Sequence, residues 1–246
     1  MRAGLAALCL LWSLVASAGA LRVGPTRVDL TVQHPVVALE VQNTNESSTL
    51  AQIDVFSWAQ AGGEDVLIPT TDVIATPLVL NLAPGETRVV RVGLRQGNRT
   101  AVEQSYRLFV REVPPAFATG AGLQFAVRIG VPVFALPGVV RVSSSVSSEL
   151  GWRWVTDIEH CMVVQLSNPA TRHERVVAAE MLSRDGEILW RAADPVYVLA
   201  GSTRAMRPSV CPPGLKDAAT LRLLTESGTL NLPVEAPSMV VDANSH

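Results

Sequence analysis

Between residues 123 and 134 the sequence alternates so regularly that one side of a β-strand would be wholly apolar. Side chains point to opposite faces of a strand in turn, and the residues of one parity are all hydrophobic: Leu123, Phe125, Val127, Ile129, Val131 and Val133. Pro132 belongs to the other parity, and because proline cannot donate a hydrogen bond to a neighbouring strand, it favours a sheet edge. A long apolar edge strand invites pairing with another chain. The segment therefore predicts either a strand that binds a partner or an ordinary strand packed inside its own domain.

The remaining sequence favours short strands separated by turns. The chain has 17 glycines and 16 prolines in 246 residues, and short segments of alternating polarity are bounded by turn residues. Asp185-Gly186 is a strong hairpin signal of this kind. Six or seven strands precede Gly138, and a second series begins near Cys161. We therefore expect an all-β chain of two sandwich domains.

The first 20 residues have the features of a secretory signal peptide, with Arg2, a short apolar run and an Ala-x-Ala site that ends at Ala20. That run is too short for a stable membrane anchor, and no later apolar stretch is long enough, so we expect an exported protein without membrane insertion. The predicted organisation is a signal peptide at 1–20, a first domain at 21–138, a second domain at 139–236 and a flexible tail at 237–246.

Charge and motifs argue against several functions. The 20 basic and 22 acidic residues give no reason to expect nucleic-acid binding. The four histidines are scattered and are expected at the surface or in caps, and no phosphate loop, metalloprotease helix or serine nucleophile elbow is present. We expect no enzyme activity, no metal and no cofactor. In an oxidising compartment Cys161 and Cys211 suggest one disulfide, with two free buried thiols as the alternative.

Four motifs together resemble a known family. In chain order they are Val23-Gly24-Pro25-Thr26-Arg27-Val28, then Leu82-Ala83-Pro84-Gly85-Glu86, then the segment from Tyr106 to Pro115, and finally Leu166-Ser167-Asn168-Pro169-Ala170-Thr171. Their order and spacing are similar to those of the PapD-like proteins, the periplasmic pilus-assembly chaperones of the chaperone–usher pathway. The resemblance implies a boomerang of two immunoglobulin-like domains, with the strand from Leu123 to Phe134 bordering the cleft between them.

The resemblance also implies a function. Such chaperones lend a strand to a pilus or fimbrial subunit that lacks one, which is donor-strand complementation, and deliver the subunit to an outer-membrane usher. The apolar parity from Leu123 to Val133 would be the lent side chains, and no nucleotide would be needed. The free protein could self-associate to cover its edge. A secreted tandem immunoglobulin-like module for adhesion or ligand binding is the alternative, since it predicts the same fold.

The chain departs from the family at its charged residues. Better-known members bind the terminal carboxylate of the subunit with a first-strand arginine, which Arg27 matches, and with a lysine whose position falls on Pro132. Candidates for the missing cation are Arg107, Arg111 and Arg128, because a guanidinium suits a carboxylate. Leu136 replaces an arginine that forms an interdomain salt bridge in some members, and two acids fall where its partners would be: Glu103 and Glu226. These departures suggest a divergent or archaic branch that serves thin fimbrial or spore-coat-like subunits.

Overall fold

The computed structural model describes residues 21–97, 101–114, 126–137, 150–156, 161–192, 194–207 and 215–234. Within these ranges every regular element is a β-strand except one 3-10 turn, Leu215–Asp217, so the all-β prediction is confirmed. The predicted signal peptide, the tail at 237–246 and the boundary at Gly138 lie outside the described residues, and these limits remain predictions.

The described residues before residue 136 form ten strands, more than the six or seven that the sequence predicts, because several are only three or four residues long. They are β1 Leu21–Gly24, β2 Val28–Leu30, β3 Val36–Asn43, β4 Thr49–Ala61, β5 Glu64–Pro69, β6 Val73–Thr76, β7 Val79–Leu82, β8 Thr87–Leu94, β9 Gln104–Val113 and β10 Arg128–Ala135. Sheet 1 has the order β1-β3-β8-β6, and sheet 2 has the order β2-β10-β9-β4-β5, with β7 beside β4. All of these pairs are antiparallel except β2 and β10, which run parallel.

Eight further strands follow residue 150. They are β11 Gly151–Thr156, β12 Met162–Ser167, β13 Glu174–Ser183, β14 Ile188–Ala192, β15 Val196–Val198, β16 Thr203–Met206, β17 Ala218–Thr225 and β18 Gly228–Pro233. Sheet 3 has the order β11-β12-β16, and sheet 4 has the order β14-β13-β17-β18, with β15 beside β13. Gly186 has a φ of +83° in the turn between β13 and β14, which confirms the hairpin that Asp185-Gly186 predicts.

Each pair of sheets encloses its own core, because alternate residues of the strands face inward. On β9, Tyr106, Leu108 and Val110 are buried in the first core, while Arg107 and Phe109 point to the other face of sheet 2. The second core is centred on apolar residues of sheets 3 and 4. We call the residues of sheets 1 and 2 the first domain and those of sheets 3 and 4 the second domain.

A third apolar cluster joins the two domains. Trp58 and Phe134 of sheet 2 are buried against Leu199, with Tyr197 packed at the side. The hairpin between β4 and β5 reaches the second domain, where the backbone nitrogen of Ala205 donates to the oxygen of Gly63 at 2.9 Å. The face of sheet 2 that turns away from its own core thus ends at the second domain.

Candidate functional site

Strand β10 leaves part of one edge without a neighbouring strand among the described residues. On one side it pairs with β9 along its whole length, from Arg128 to Ala135. On the other side it pairs with β2, and that pairing covers only Val133 to Ala135. Within the described ranges no strand lies beside the outer edge from Arg128 to Pro132, and we call this stretch the open edge, in agreement with the edge position that the proline predicts.

The backbone groups of β10 alternate between β9 and the open side. The nitrogen of Glu112 donates to the oxygen of Val127 at 2.9 Å, so Val127 faces β9. The nitrogen of Leu136 donates to the oxygen of Leu30 at 2.9 Å, on the side of β2. Because these directions alternate along a strand, every second residue before Leu136 faces outward. Arg128 and Gly130 direct their backbone groups to the open side, whereas the carbonyl of Pro132 faces Val28, the first residue of β2.

The apolar side chains on alternate residues of β10 are only partly available to a partner. Val131 and Val133 are 1% and 0% exposed and belong to the core of their own domain. Val127 and Ile129 are half-buried and pack against the margin of that core, beside the open edge. Two further residues lie outside the described ranges: Leu123 and Phe125. Val131 and Val133 thus pack in the core of their own domain, Val127 and Ile129 lie beside the edge, and which side chains are lent stays a prediction.

The outer face of sheet 2, which turns away from the core, carries aromatic rings and arginines. The rings of Phe56 and Phe109 meet edge to face, with centroids 5.6 Å apart. The guanidinium carbon of Arg128 lies 3.6 Å from the centroid of Phe109, which is a cation–π contact. Nε of Arg111 donates to Asp54 at 2.8 Å. Arg111 is thus held by an acid of its own domain, whereas Arg128 has no carboxylate partner in the described part of the chain.

Arg107 lies directly opposite Pro132 in the register of β9 and β10, so both side chains leave the same face. Its guanidinium carbon is 4.4 Å from the ring centroid of Trp58. Nη1 of Arg107 is buried and has no hydrogen-bond partner. Burial lowers the pKa of Arg107, and the nearby Asp65 and Tyr197 oppose this effect only in part. A buried guanidinium with an unpaired nitrogen is stabilised by an anionic ligand, because charge-assisted hydrogen bonds are strong.

Arg27, just before β2, is already paired with acids. Its Nε lies 3.2 Å from Asp29, and its Nη1 donates to Glu226 of the second domain at 2.8 Å. Nη1 of Arg175 donates to the other oxygen of Glu226 at 3.1 Å. Burial would lower the pKa of Arg27, but the hydrogen bond to Glu226 and the charge of Asp29 raise it above its ordinary value. Burial would likewise raise the pKa of Glu226, but the hydrogen bonds from Arg175 and Arg27 lower it.

Tyr197, which the sequence did not single out, lies at the centre of these charged groups. It stands on β15 directly opposite Arg175 of β13, and its ring is 5.6 Å from that of Trp58. Nε2 of Gln60 donates to the backbone oxygen of Tyr197 at 2.8 Å. Burial raises the pKa of Tyr197, so its hydroxyl remains a hydrogen-bond donor at neutral pH. The run from Tyr197 to Gly201 predicts a strand, but it carries no signal for these partners.

His173 was expected at the surface or in a cap, and the structure places its side chain, 8% exposed, between the domains. Its Nδ1 lies 2.7 Å from Oε1 of Glu103, and its backbone nitrogen donates to the same oxygen at 3.1 Å. Its ring stacks on Phe134 with centroids 3.6 Å apart. Asn168 holds the loop in place, since its Nδ2 donates to the oxygen of Val198 at 2.9 Å. Glu103 therefore does join the domains, with a histidine as its partner.

Cys161 takes part in a disulfide, and Cys211 lies outside the described residues, so their pairing with each other stays a prediction. The described residues contain no group of three metal-ligating side chains. They also contain no helix with the length and apolar character needed to cross a membrane.

Residues 20–141 match the family model described as pili and flagellar-assembly chaperone, PapD N-terminal domain. The chain belongs to the PapD-like assembly chaperones. No curated protein sequence matches it. The resemblance inferred from the four motifs is thus confirmed, and the alternative of a secreted adhesion module is not favoured.

Solved structures of other chaperones share the fold of this PapD-like chain. A chain of the CsuC–CsuE chaperone–tip adhesion subunit complex, from archaic Csu pili of Acinetobacter baumannii, is 21% identical, with a TM-score of 0.65 over 90% of this chain and all of that one. The CupB2 chaperone of Pseudomonas aeruginosa is also 21% identical, with a TM-score of 0.58 over 87% of this chain and all of that one. A chain of the SafA pilin–SafB chaperone complex of Salmonella enterica is 17% identical, with a TM-score of 0.60 over 87% of this chain and 96% of that one. The shared fold consists of two immunoglobulin-like sandwiches, as expected.

Proposed function

We propose that this chaperone captures pilus or fimbrial subunits in the periplasm by donor-strand complementation and delivers them to an outer-membrane usher. The observation that carries the proposal is the open edge of β10 from Arg128 to Pro132. A subunit that lacks one strand exposes unpaired backbone groups, and such an edge supplies their partners. Related chaperones in complex with a tip adhesion subunit and with a pilin support the same class of partner.

The open edge offers two backbone N–H groups and two carbonyl groups, all from Arg128 and Gly130, because the carbonyl of Pro132 already faces Val28 of β2. Four net hydrogen bonds at about 0.5–1.5 kcal/mol each contribute on the order of 4 kcal/mol. Covering the exposed parts of Val127 and Ile129 adds about 25 cal/mol per Å². The edge alone therefore supports moderate affinity, and contacts on the outer face of sheet 2 would supply the remainder.

Strand β2 suggests the direction of a captured strand. It runs parallel to β10 and occupies the edge from Val133 onward, so an added strand must stop where β2 starts. Arg27 stands immediately before that point. A parallel strand would bring its carboxyl terminus to this arginine, and an antiparallel strand would bring its amino terminus. Because a guanidinium attracts a carboxylate and repels an ammonium group, we expect a parallel strand.

Among the four candidate arginines, Arg107 is best suited to bind the terminal carboxylate. Arg27 and Arg111 already pair with acids of this chain. Arg128 stacks on an aromatic ring at the far end of the open edge. Arg107 has a buried nitrogen without an acceptor, and it lies opposite Pro132, the position that matches the family's lysine.

A photo-crosslinking experiment tests the proposal. A benzophenone amino acid in place of Arg128 would report what meets the open edge, and the same change at Arg88, an exposed residue of sheet 1, is the matched control. We expect crosslinks from position 128 to the C-terminal segment of a pilus subunit, identified by mass spectrometry, and none from position 88. Equal crosslinking at both positions would contradict the proposal, and a crosslink to a second chaperone copy alone would indicate self-association instead of capture.

A further inference from the structure

Glu112 is an acidic residue on the side of β9 that faces the first core. On this strand the residues of one parity are buried in that core: Tyr106, Leu108 and Val110. Glu112 continues the same parity, because side chains alternate between the two faces of a strand. Ala51, which lies directly opposite Glu112 on β4, is 0% exposed. The carboxylate of Glu112 therefore lies at the margin of an apolar core, a place where acids are rare unless they are paired.

One oxygen of this carboxylate lacks a hydrogen-bond donor. Oε2 of Glu112 is buried and accepts no hydrogen bond. Two arginines lie beside it in the sequence and in the register, but Arg111 and Arg128 leave the opposite face of sheet 2. There Arg111 donates to Asp54 at 2.8 Å, and the guanidinium of Arg128 stacks on an aromatic ring. Because a buried oxygen without a donor is costly and rare in native proteins, Oε2 would be satisfied by a donor that the described residues do not supply.

Glu112 lies one strand away from the strand with the open edge. Its backbone nitrogen donates to the oxygen of Val127, the residue before β10, so the side chains of Val127 and Glu112 are neighbours on one face. Val127 packs at the margin of the same core. A strand that binds the open edge would also pass beside Val127, at two strand spacings, or about 10 Å, from β9. Only a long side chain of that strand could reach the carboxylate.

The length and the charge together define the donor. Arginine and lysine are the longest side chains that donate hydrogen bonds, and both carry the positive charge that a carboxylate binds most strongly. The aliphatic stem of either residue would lie against Val127, while its charged end reaches Oε2 of Glu112. One basic side chain would thus cover the exposed part of Val127 and pair with the acid behind it.

We propose that Glu112 selects captured strands that carry an arginine or a lysine on the core-facing side, at the position beside Val127. The inference rests on the proposed function, because it requires a strand on the open edge. Val127 precedes Pro132 by five positions. In a parallel strand the basic residue therefore lies about five residues before the end of the segment that pairs with β10. The ion pair also fixes the register, since a slip of two residues keeps every side chain on its face but moves the basic residue away from Glu112.

Calorimetric titration with paired synthetic peptides tests this selection. Each peptide is acetylated, starts with Ser and Gly for solubility and continues with alternating Val and Thr. One Val is replaced either by lysine or by norleucine, which has the same stem without the amino group, and the replaced position is moved along the series. At one position of the series, wild-type protein should bind the lysine peptide about fivefold or more tightly than the norleucine peptide. Two residues to either side, this preference should be lost.

Two variants with the same change of net charge assign the preference to a residue. Glu112→Gln should bring the ratio of the two affinities close to one, because it removes the charge and keeps the shape of the side chain. Glu40→Gln, at an exposed acid of β3, is the matched control and should preserve the ratio. Urea denaturation gives a second measurement, in which Glu112→Gln should be at least as stable as wild type, because it removes a buried charge without a donor.

The possible outcomes separate the inference from the proposed function. Equal affinity for the lysine and norleucine peptides at every position, or a preference that Glu112→Gln retains, would overturn the inference while strand capture stands. A preference of the same size at every position would show attraction by net charge alone and would overturn it too. A clear loss of stability in Glu112→Gln would mean that the carboxylate serves the fold of its own domain, against the inference. If wild-type protein binds no peptide of either kind, strand capture itself is contradicted, and the inference falls with it.

Discussion

The backbone amide of Arg128 provides a sharp test of the open edge. Arg128→Pro removes this N–H group together with the arginine side chain, whereas Arg128→Ala removes the side chain and keeps the N–H group. The group points away from β9, so its loss breaks no hydrogen bond with that strand. Arg128 is also the first residue of β10, a position that tolerates proline. We therefore expect the free energies of unfolding of the two variants to agree within about 0.5 kcal/mol.

Binding of a strand should respond differently to the two changes. Without the N–H of Arg128, a carbonyl of the bound strand loses its partner, which costs about 1–3 kcal/mol. The proline variant should therefore bind about 5- to 150-fold more weakly than the alanine variant. Both variants lack the guanidinium that stacks on Phe109, so that contact cancels in the comparison.

Calorimetric titration with a synthetic acetylated peptide of alternating Val and Thr, with lysines near its start for solubility, measures the affinities. Urea denaturation of the same two samples measures their stabilities. Equal affinities would mean that the amide of Arg128 is not offered to a partner. A proline variant much less stable than the alanine variant would mean that the amide is used within the protein. Either result would refute the reasoning from the alternation of backbone groups along β10.

Three further predictions concern the contact between the domains. Gly63→Val should lower the free energy of unfolding, measured by thermal unfolding, by about 1–3 kcal/mol, because Gly63 has a φ of +82° and an added Cβ would lie 3.0 Å from a side chain of β16. The control is Gly62→Ala, which should cost less, because Gly62 has a φ of +60° and an added Cβ would have nothing within 4 Å. Because the pKa of Glu226 is lowered, its carboxylate contributes stability above pH 4.5, and this contribution is lost as the pH falls through the folded-state pKa. Glu226→Gln should therefore make the free energy of unfolding fall less steeply at acid pH, as measured by denaturation at a series of pH values. His173→Ala removes the ring that lies 2.7 Å from the buried carboxylate of Glu103 and should cost about 1–3 kcal/mol in urea denaturation, and adding Glu103→Gln should recover part of that loss.

The edge position of β10 could be predicted because its signals are local. Side-chain parity follows from the period of a strand, and Pro132 excludes a hydrogen bond on one side wherever the strand lies. Whether an apolar side chain packs inside its own domain or stays available is not a local property. Ile129 and Val131 share one parity, yet Val131 is sealed in the core and Ile129 lies half-exposed at its margin. The sequence pattern does not distinguish them.

The charged site was predictable only in part. The family resemblance identified Arg27 and offered Arg107 as one of three further cations, because residue type and strand position are visible in the sequence. The pairing of Arg27 with Glu226 spans 199 positions along the chain, and it depends on how the two domains meet. The same dependence hid Tyr197 and the contact of His173 with Glu103 of the other domain.

Amide hydrogen exchange along β10, followed by NMR, tests most directly whether this strand is open to a partner. In the free protein the amides of Arg128 and Gly130 should exchange rapidly, while those of Ile129 and Val131, which pair with β9, should exchange slowly. A bound subunit or strand peptide should slow the exchange of Arg128 and Gly130 and change the other two little. Slow exchange at all four amides in the free protein, or no protection of Arg128 and Gly130 on binding, would contradict the lending of this edge.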